Sequence, residues 1–249
     1  MKKAFLTNPV FRYVFEVFVI IFSVTISFYI QNELNERDKI KLKDNSLKGV
    51  LIDLNKDEEF YNDALESIYF KLNSADKLID EKIDSDILNT FLSYWGFVGH
   101  DASIKSLIST GAIEYISDVS LIDELTKYYE NQYSILLDTS EGEEKLYWEL
   151  MTYLKVNYRF GKMMKSSKSY IKEFFTGKVG DRGHPLHMEF DNELLSQLKK
   201  DQYIINHAHQ LKRLDGLHAG FYEQALIELE FLRILIKKEI NYISLYLKI

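Results

Sequence analysis

FRYVFEVFVIIFSVTISFYI, residues 11–30, fixes the architecture. Twenty residues wound as a helix are about 30 Å long, which matches the hydrocarbon core of a bilayer. Val17 to Ile30 carries no charge, and Tyr13 and Tyr29 stand near the two ends, where amphipathic aromatics favour the headgroup level. Two other segments could look the same, a cleaved signal peptide and a buried core helix. Lys2 and Lys3 would serve as a signal peptide's basic region. The run is followed, however, by Gln31-Asn-Glu-Leu-Asn-Glu36, which has no small-x-small cleavage site. The expectation is a retained, single-pass transmembrane helix over 11–30, preceded by an N-terminal arm over 1–10.

The span is not uniformly apolar. Arg12 and Glu16 are four residues apart and can pair on one face. At 100° per residue, Arg12, Glu16, Ser23, Ser27 and Gln31 share one side of the helix. Such a stripe gains nothing from lipid, but it can hydrogen-bond to a neighbouring helix for about 0.6–2 kcal/mol per bond. This is a candidate association face for a homo-oligomer. The alternative is that Arg12 and Glu16 snorkel while the serines bond their own backbone. Orientation is close to a tie. Lys2, Lys3 and Arg12 flank one end of the span, and Arg37, Lys39, Lys41 and Lys43 the other.

Beyond the span the chain reads as helix. Only 2 Pro and 11 Gly occur in 249 residues, too few for a many-turned β fold. Residues 31–46 form a polar linker rich in helix formers. From Leu47 the apolar residues recur at three and four: Val50, Leu51, Leu54, Tyr61, Ala64, Leu65, Ile68, Leu72, Ala75, Leu78 and Ile79. Asp84-Ser85-Asp86 ends this helix and can cap the next. A third helix, capped by Asp101 or Ser103, stops at Gly111. Ser120 to Asp123 has capping-box spacing for a fourth, which Gly142 could interrupt. The last helix spans about Asn192–Leu247, striped by Ile204, Ala208, Leu211, His218, Tyr222, Ala225, Leu229, Leu232 and Ile236, with a possible kink at Asp215 and Gly216. Residues 161–188, with Gly177, Gly180, Gly183 and Pro185, read as an irregular insertion around a short helix at Tyr170–Phe175. The predicted fold class is all-α: an N-terminal transmembrane helix followed by an elongated antiparallel helical bundle over 47–249.

Two segments resemble a bacterial family of uncharacterised single-span membrane proteins, a domain of unknown function. That family has a Gly-Glu pair opening an apolar span and a polar exit of the type Gln-x-Asn-Asn-Trp-Asn-Glu. Here Glu16 matches the glutamate, and Asn32, Asn35 and Glu36 match the exit. Phe15 stands in place of the glycine and Leu34 in place of the tryptophan. Mid-chain, Ser109-Thr110-Gly111, Ile113 to Ile116 and Tyr128-Tyr129 resemble the family's turn, apolar link and Tyr-Tyr helix end. The resemblance implies a membrane location, the bacterial inner membrane, with a lean toward an extracytoplasmic bundle from the family's basic arm. It implies no activity.

Chemistry is sparse. Cysteine is absent, which removes disulfides, thiolate metal sites and a cysteine nucleophile. The net charge of −7 makes the chain a poor general binder of nucleic acid; the basic stretch Lys162 to Lys172 reads as solvated surface. His184, His187 and Glu189 lack the helical spacing of a metal site. His207 and His209, two apart, point to different faces, and His218 lies on the apolar stripe as a core histidine. Gly177 to Gly183 lacks the order of a phosphate loop. The acidic runs at Asp57–Glu59 and Glu141–Glu144 read as solvated helix faces. The 17 Tyr and 16 Phe read as core, a few being available to line a ligand groove. The expectation is a non-enzymatic, membrane-anchored scaffold or sensor, without metal or cofactor, that self-associates and binds a protein or small-ligand partner. The alternative is a membrane-perturbing effector of defence or toxin type acting through assembly of its spans. Full-length protein is expected to fractionate with membranes through a high-salt wash and to need detergent for release; recovery in the soluble fraction would remove the anchor.

Overall fold

The computed structural model describes residues 9–94, 96–158, 162–163 and 188–246. It is all-α, built on one very long helix. Helix α1 runs unbroken from Pro9 to Ile79, 71 residues, or about 105 Å. Its N-terminal part, side chains 12–39, is exposed on every side, and the first buried side chain is Lys43. The apolar stretch within it has a mean hydropathy of 2.1 and no burial, so it is long and apolar enough to cross a membrane. Of the N-terminal arm, residues 1–8 lie outside the described residues.

The rest of the chain folds back along α1. Helix α2 (Ser85–Phe91) is capped by Asp84, whose carboxylate accepts from Ile87 N–H at 2.8 Å. Helix α3 (Ala102–Ser109) ends at Gly111, which takes φ 70°, a left-handed conformation that a Cβ would disfavour. A 3₁₀ turn (Ala112–Tyr115) leads to α4 (Val119–Thr126), a π-helical stretch (Lys127–Gln132) and α5 (Tyr133–Asn157), which follow one another as a single rod. Lys162–Met163 pairs antiparallel with Met188–Glu189, closing the segment between them. Of the insertion at 161–188, including the helix expected at Tyr170–Phe175, only those strand residues are described. Helices α6 (Asn192–Leu198) and α7 (Gln202–Tyr246) complete the chain.

The core is a long seam between α1 and α7. The partners run in opposite order, Lys43 with Glu239, Lys71 with Asp215 and Asp76 with Lys212, so the helices are antiparallel. Among the buried positions, a regular series runs along α1 at 43, 47, 50, 54, 57, 61, 64, 68, 71, 75 and 78, and another along α7 at 204, 208, 211, 215, 218, 222, 225, 229, 232, 236 and 239. Both series alternate steps of three and four, the 3.5-residue repeat of a left-handed supercoil. The α4–α5 rod lies against both helices and completes a three-helix bundle. Its buried side chains fall into two apolar clusters, one nearer the exposed apolar stretch around Leu54, Tyr61, Leu125 and Leu229, the other at the far end around Leu78, Phe91, Leu154 and Ile204.

Several local expectations are corrected. Ser120 does not cap α4; Asp118 does, accepting from Ser120 N–H at 3.1 Å. Gly142 leaves the rod intact, because the departure from α geometry comes at Lys127–Gln132 instead. The last helix breaks at Lys199–Asp201, where Asp201 accepts from Tyr203 N–H at 2.8 Å and starts α7 anew, and Asp215-Gly216 makes no break. Gly111 and Gly142 therefore differ in kind. Gly111→Ala is expected to lower stability by about 1–2 kcal/mol through the left-handed strain. Gly142→Ala, whose new methyl would meet Leu214 at an ordinary 3.5 Å, is expected to raise it by up to about 1 kcal/mol. Thermal unfolding of both variants in one detergent, followed by circular dichroism, checks the two signs.

Candidate functional site

Several polar residues are buried in the α1–α7 seam, among them Lys43, Asp57 and Lys71 of α1 and Asp215, His218 and Glu239 of α7. Lys43 is fully buried, its ammonium 2.8 Å from Glu239 and 3.4 Å from Asp44. Glu239 also accepts from Ser117 N–H at 3.0 Å, tying the link before α4 to the same pair.

Two heptads along α1, Asp57 is also fully buried. One carboxylate oxygen accepts from His100 N–H at 3.0 Å and lies 2.9 Å from the ring Nδ1 of that residue. The other accepts from Tyr128 at 3.2 Å and from Tyr133. Tyr61 adds a hydroxyl contact to Tyr128 at 3.0 Å. The π-helical stretch makes this convergence possible. Residues five apart diverge on an α-helix, but a wider turn brings Tyr128 and Tyr133 to one side. Gly99 is required here, because the Tyr133 ring fills the space a Cβ would take. Burial pushes the phenols of Tyr61, Tyr128 and Tyr133 upward, so they stay protonated and can donate. Burial also raises Asp57, against the opposing bonds from Tyr133 and His100. One turn earlier, Asp53 accepts from Ser103 N–H at 3.0 Å and satisfies the start of α3.

Two heptads further on, a polar layer separates the two apolar clusters. Lys71 of α1 faces Asp215 of α7 at 3.4 Å and Glu143 of α5 at 3.9 Å, and His218 Nδ1 lies 2.9 Å from Glu143. All four side chains are at least nine-tenths buried. Burial, with Glu143 close by, holds Asp215 above the ordinary aspartate range despite the pull of Lys71. Burial works against ionised Glu143 as well, but the bond from His218 and the charge of Lys71 outweigh it and hold Glu143 low. One carboxylate of the pair thus keeps a proton. A cavity of about 20 Å³ adjoins the layer, lined by Phe60, Ser67, Lys71, Glu143, His218 and Tyr222. It has room for a single water and for no larger guest.

The expected association face is laid out along the exposed part of α1. Arg12 donates to Glu16 at 3.0 Å. Ser27 donates to the backbone oxygen of Ser23 at 2.8 Å, and Thr25 does the same to Ile21 on another side. Ser23, Ser27 and Gln31, with Val24 and Phe28, line one groove. In the single chain the serine at 27 therefore bonds its own helix. His218 is buried on the core stripe, as the sequence predicts; His207 is buried and His209 exposed. His184 and His187 lie outside the described residues, and of Glu189 only the backbone is described. Among the described residues no three His, Asp or Glu side chains are grouped to hold a metal ion.

The acidic runs are not simply solvated faces. Asp57 and Glu143 are buried acceptors, and Glu58 is 2.6 Å from Arg233. The sequence signal for Asp57, as for Lys71, is spacing: Asp57 fills the gap between Leu54 and Tyr61, and Lys71 the gap between Ile68 and Ala75. Part of the aromatic set packs as core: Phe60 and Tyr61 each meet Phe97 and Tyr222, at 5.3–6.4 Å between ring centres. Comparison with protein families, curated proteins and solved structures gives no match.

The polar layer generates an opposed pair of outcomes. Lys71→Met strands two buried carboxyl groups and is expected to cost about 3–5 kcal/mol. In the native state Asp215 keeps a proton that the unfolded chain releases above its ordinary value of 3.8, so this group lowers stability as pH rises from about 4. Asp215→Asn removes that decline. Its melting temperature should match the parent near pH 4 and exceed it increasingly toward pH 8. A pH series of melting curves tests both variants.

Proposed function

We propose that this chain is a single-pass, membrane-anchored helical scaffold or sensor that self-associates through its span and engages a protein or small-ligand partner through its bundle. One observation carries the reading: the exposed apolar stretch and the central bundle helix are the same unbroken helix. That helix supplies Lys43, Asp53, Asp57 and Lys71 to the buried contacts. A rigid element with one end in lipid and the other in a polar core couples the two mechanically. No cofactor enters this reading. The resemblance of Glu16, Asn32, Asn35 and Glu36 to an uncharacterised bacterial family gives the inner membrane as the location, with the bundle on the extracytoplasmic side.

The groove at Ser23, Ser27 and Gln31 also favours a second reading, a membrane-perturbing effector whose assembled spans admit ions. Leakage of dye from liposomes separates it from the scaffold. The association face itself is tested by Glu16→Leu combined with Ser23→Leu and Ser27→Leu. Oligomers in a bilayer association assay are expected to weaken at least several-fold, while Thr25→Leu on another face leaves them unchanged. If the triple variant keeps the parent oligomeric state, the span is only an anchor.

A further inference from the structure

The bundle's lower end has its own relation to the bilayer, set by register. The pair Lys43–Glu239 fixes α7 against α1. From Glu239, α7 continues as helix to Tyr246, seven residues or about 10 Å toward the span. Lys43 is thirteen residues, about 20 Å, beyond Ile30. The last described residue of α7 therefore reaches to within about 10 Å of the end of the apolar run. A second element arrives beside α1 at about the same level. The hydroxyl of Tyr115, at the tip of the 3₁₀ turn, lies 3.5 Å from Glu36, six residues or about 9 Å beyond Ile30. A headgroup layer is about 5–8 Å deep on each side of the hydrocarbon, so both elements arrive at its outer edge.

The composition changes at this point. After Glu239 the chain reads INYISLYLKI, with two tyrosines, five aliphatic residues and no acid. Tyrosine and aliphatic side chains beside a basic residue are the chemistry of the membrane–water interface.

We propose that the span-side end of the bundle, formed by the last turns of α7 and the Tyr115 tip, is a lipid-docking surface seated in the headgroup layer around the span. The proposal rests on the span reading above and goes beyond it, since an anchor alone would leave the bundle free of the surface. A helix held at Ile30 and also supported beside it resists tilting, so seating fixes the attitude of the bundle.

The absence of cysteine allows a direct test on the full chain. Nitroxide labels are attached singly at Phe22→Cys in the span, Tyr115→Cys, Tyr246→Cys and Trp148→Cys, in vesicles of phosphatidylcholine with phosphatidylglycerol. Depth is read as accessibility to oxygen against a water-soluble nickel chelate. Position 148 is half-exposed on α5, far from the span. The expected order is deep at 22, interfacial at 115 and 246, and aqueous at 148, with nickel accessibility at 246 at least threefold below that at 148. If 22 is deep while 115 and 246 match 148, the docking surface is overturned and the anchor stands. If 22 is also aqueous, the anchor reading fails and the proposal with it. Tyr242→Cys serves as the second α7 position should Tyr246→Cys unfold the helix end, with circular dichroism checking each variant.

Discussion

Register along the α1–α7 seam is the constraint from which the rest follows. Two long helices with apolar 3.5-residue repeats can slide by a heptad, or reverse, without losing much burial. The buried ionic residues remove that freedom. Lys43 and Lys71 lie at core positions of α1, and Glu239 and Asp215 at core positions of α7. Only the observed antiparallel alignment gives each lysine an acidic partner on α7. Any other strands a charge in the core, at a cost of several kcal/mol. These pairs add little to net stability over well-packed leucines; what they contribute is a single answer.

The same logic extends to the third rod. Glu143 and His218 join Lys71 and Asp215 into a layer that draws on α1, α5 and α7 together. Asp57 draws in the loop before α3 through His100 and the rod through Tyr128 and Tyr133. Asp53 anchors the start of α3 itself. Polar residues every fourteen positions along one face of α1, at 43, 57 and 71, thus act as three docking stations. Each fixes its neighbours at a stated height, while the intervening leucines and alanines supply the burial.

Much of this architecture was legible in the amino-acid order. The exposed apolar helix, its long continuation, the cap at Asp84, the stop at Gly111 and the core placement of His218 all follow from periodicity and local chemistry. The buried charges were harder to see, for a physical reason. An apolar stripe is recognised by apolar residues, so a lysine or aspartate at a stripe position is read as a gap and assigned to solvent. Asp57 and Lys71 were hidden in this way, and Lys43 was hidden by being taken into the polar linker. Their partners are remote in sequence, 196 residues away for Lys43, and no local pattern announces a complementary charge that far along the chain. The π-helical stretch was invisible for a related reason: what favours it is the convergence of two tyrosines on Asp57, a tertiary gain that Gly142, a merely permissive residue, does not offer.

The unbroken course of α1 also has a geometric consequence. From Ile30 to Ile79 the helix extends 49 residues, or about 74 Å, with no hinge. A straight arm of that length multiplies whatever happens at its foot. A tilt of about 5° at the end of the apolar run would carry the tip of α1 sideways by about 6 Å, more than one helical turn's rise. Small angular changes that leave every contact in the bundle intact are therefore large translations at the far end, where Asp84, Phe190 and the short strand pair lie.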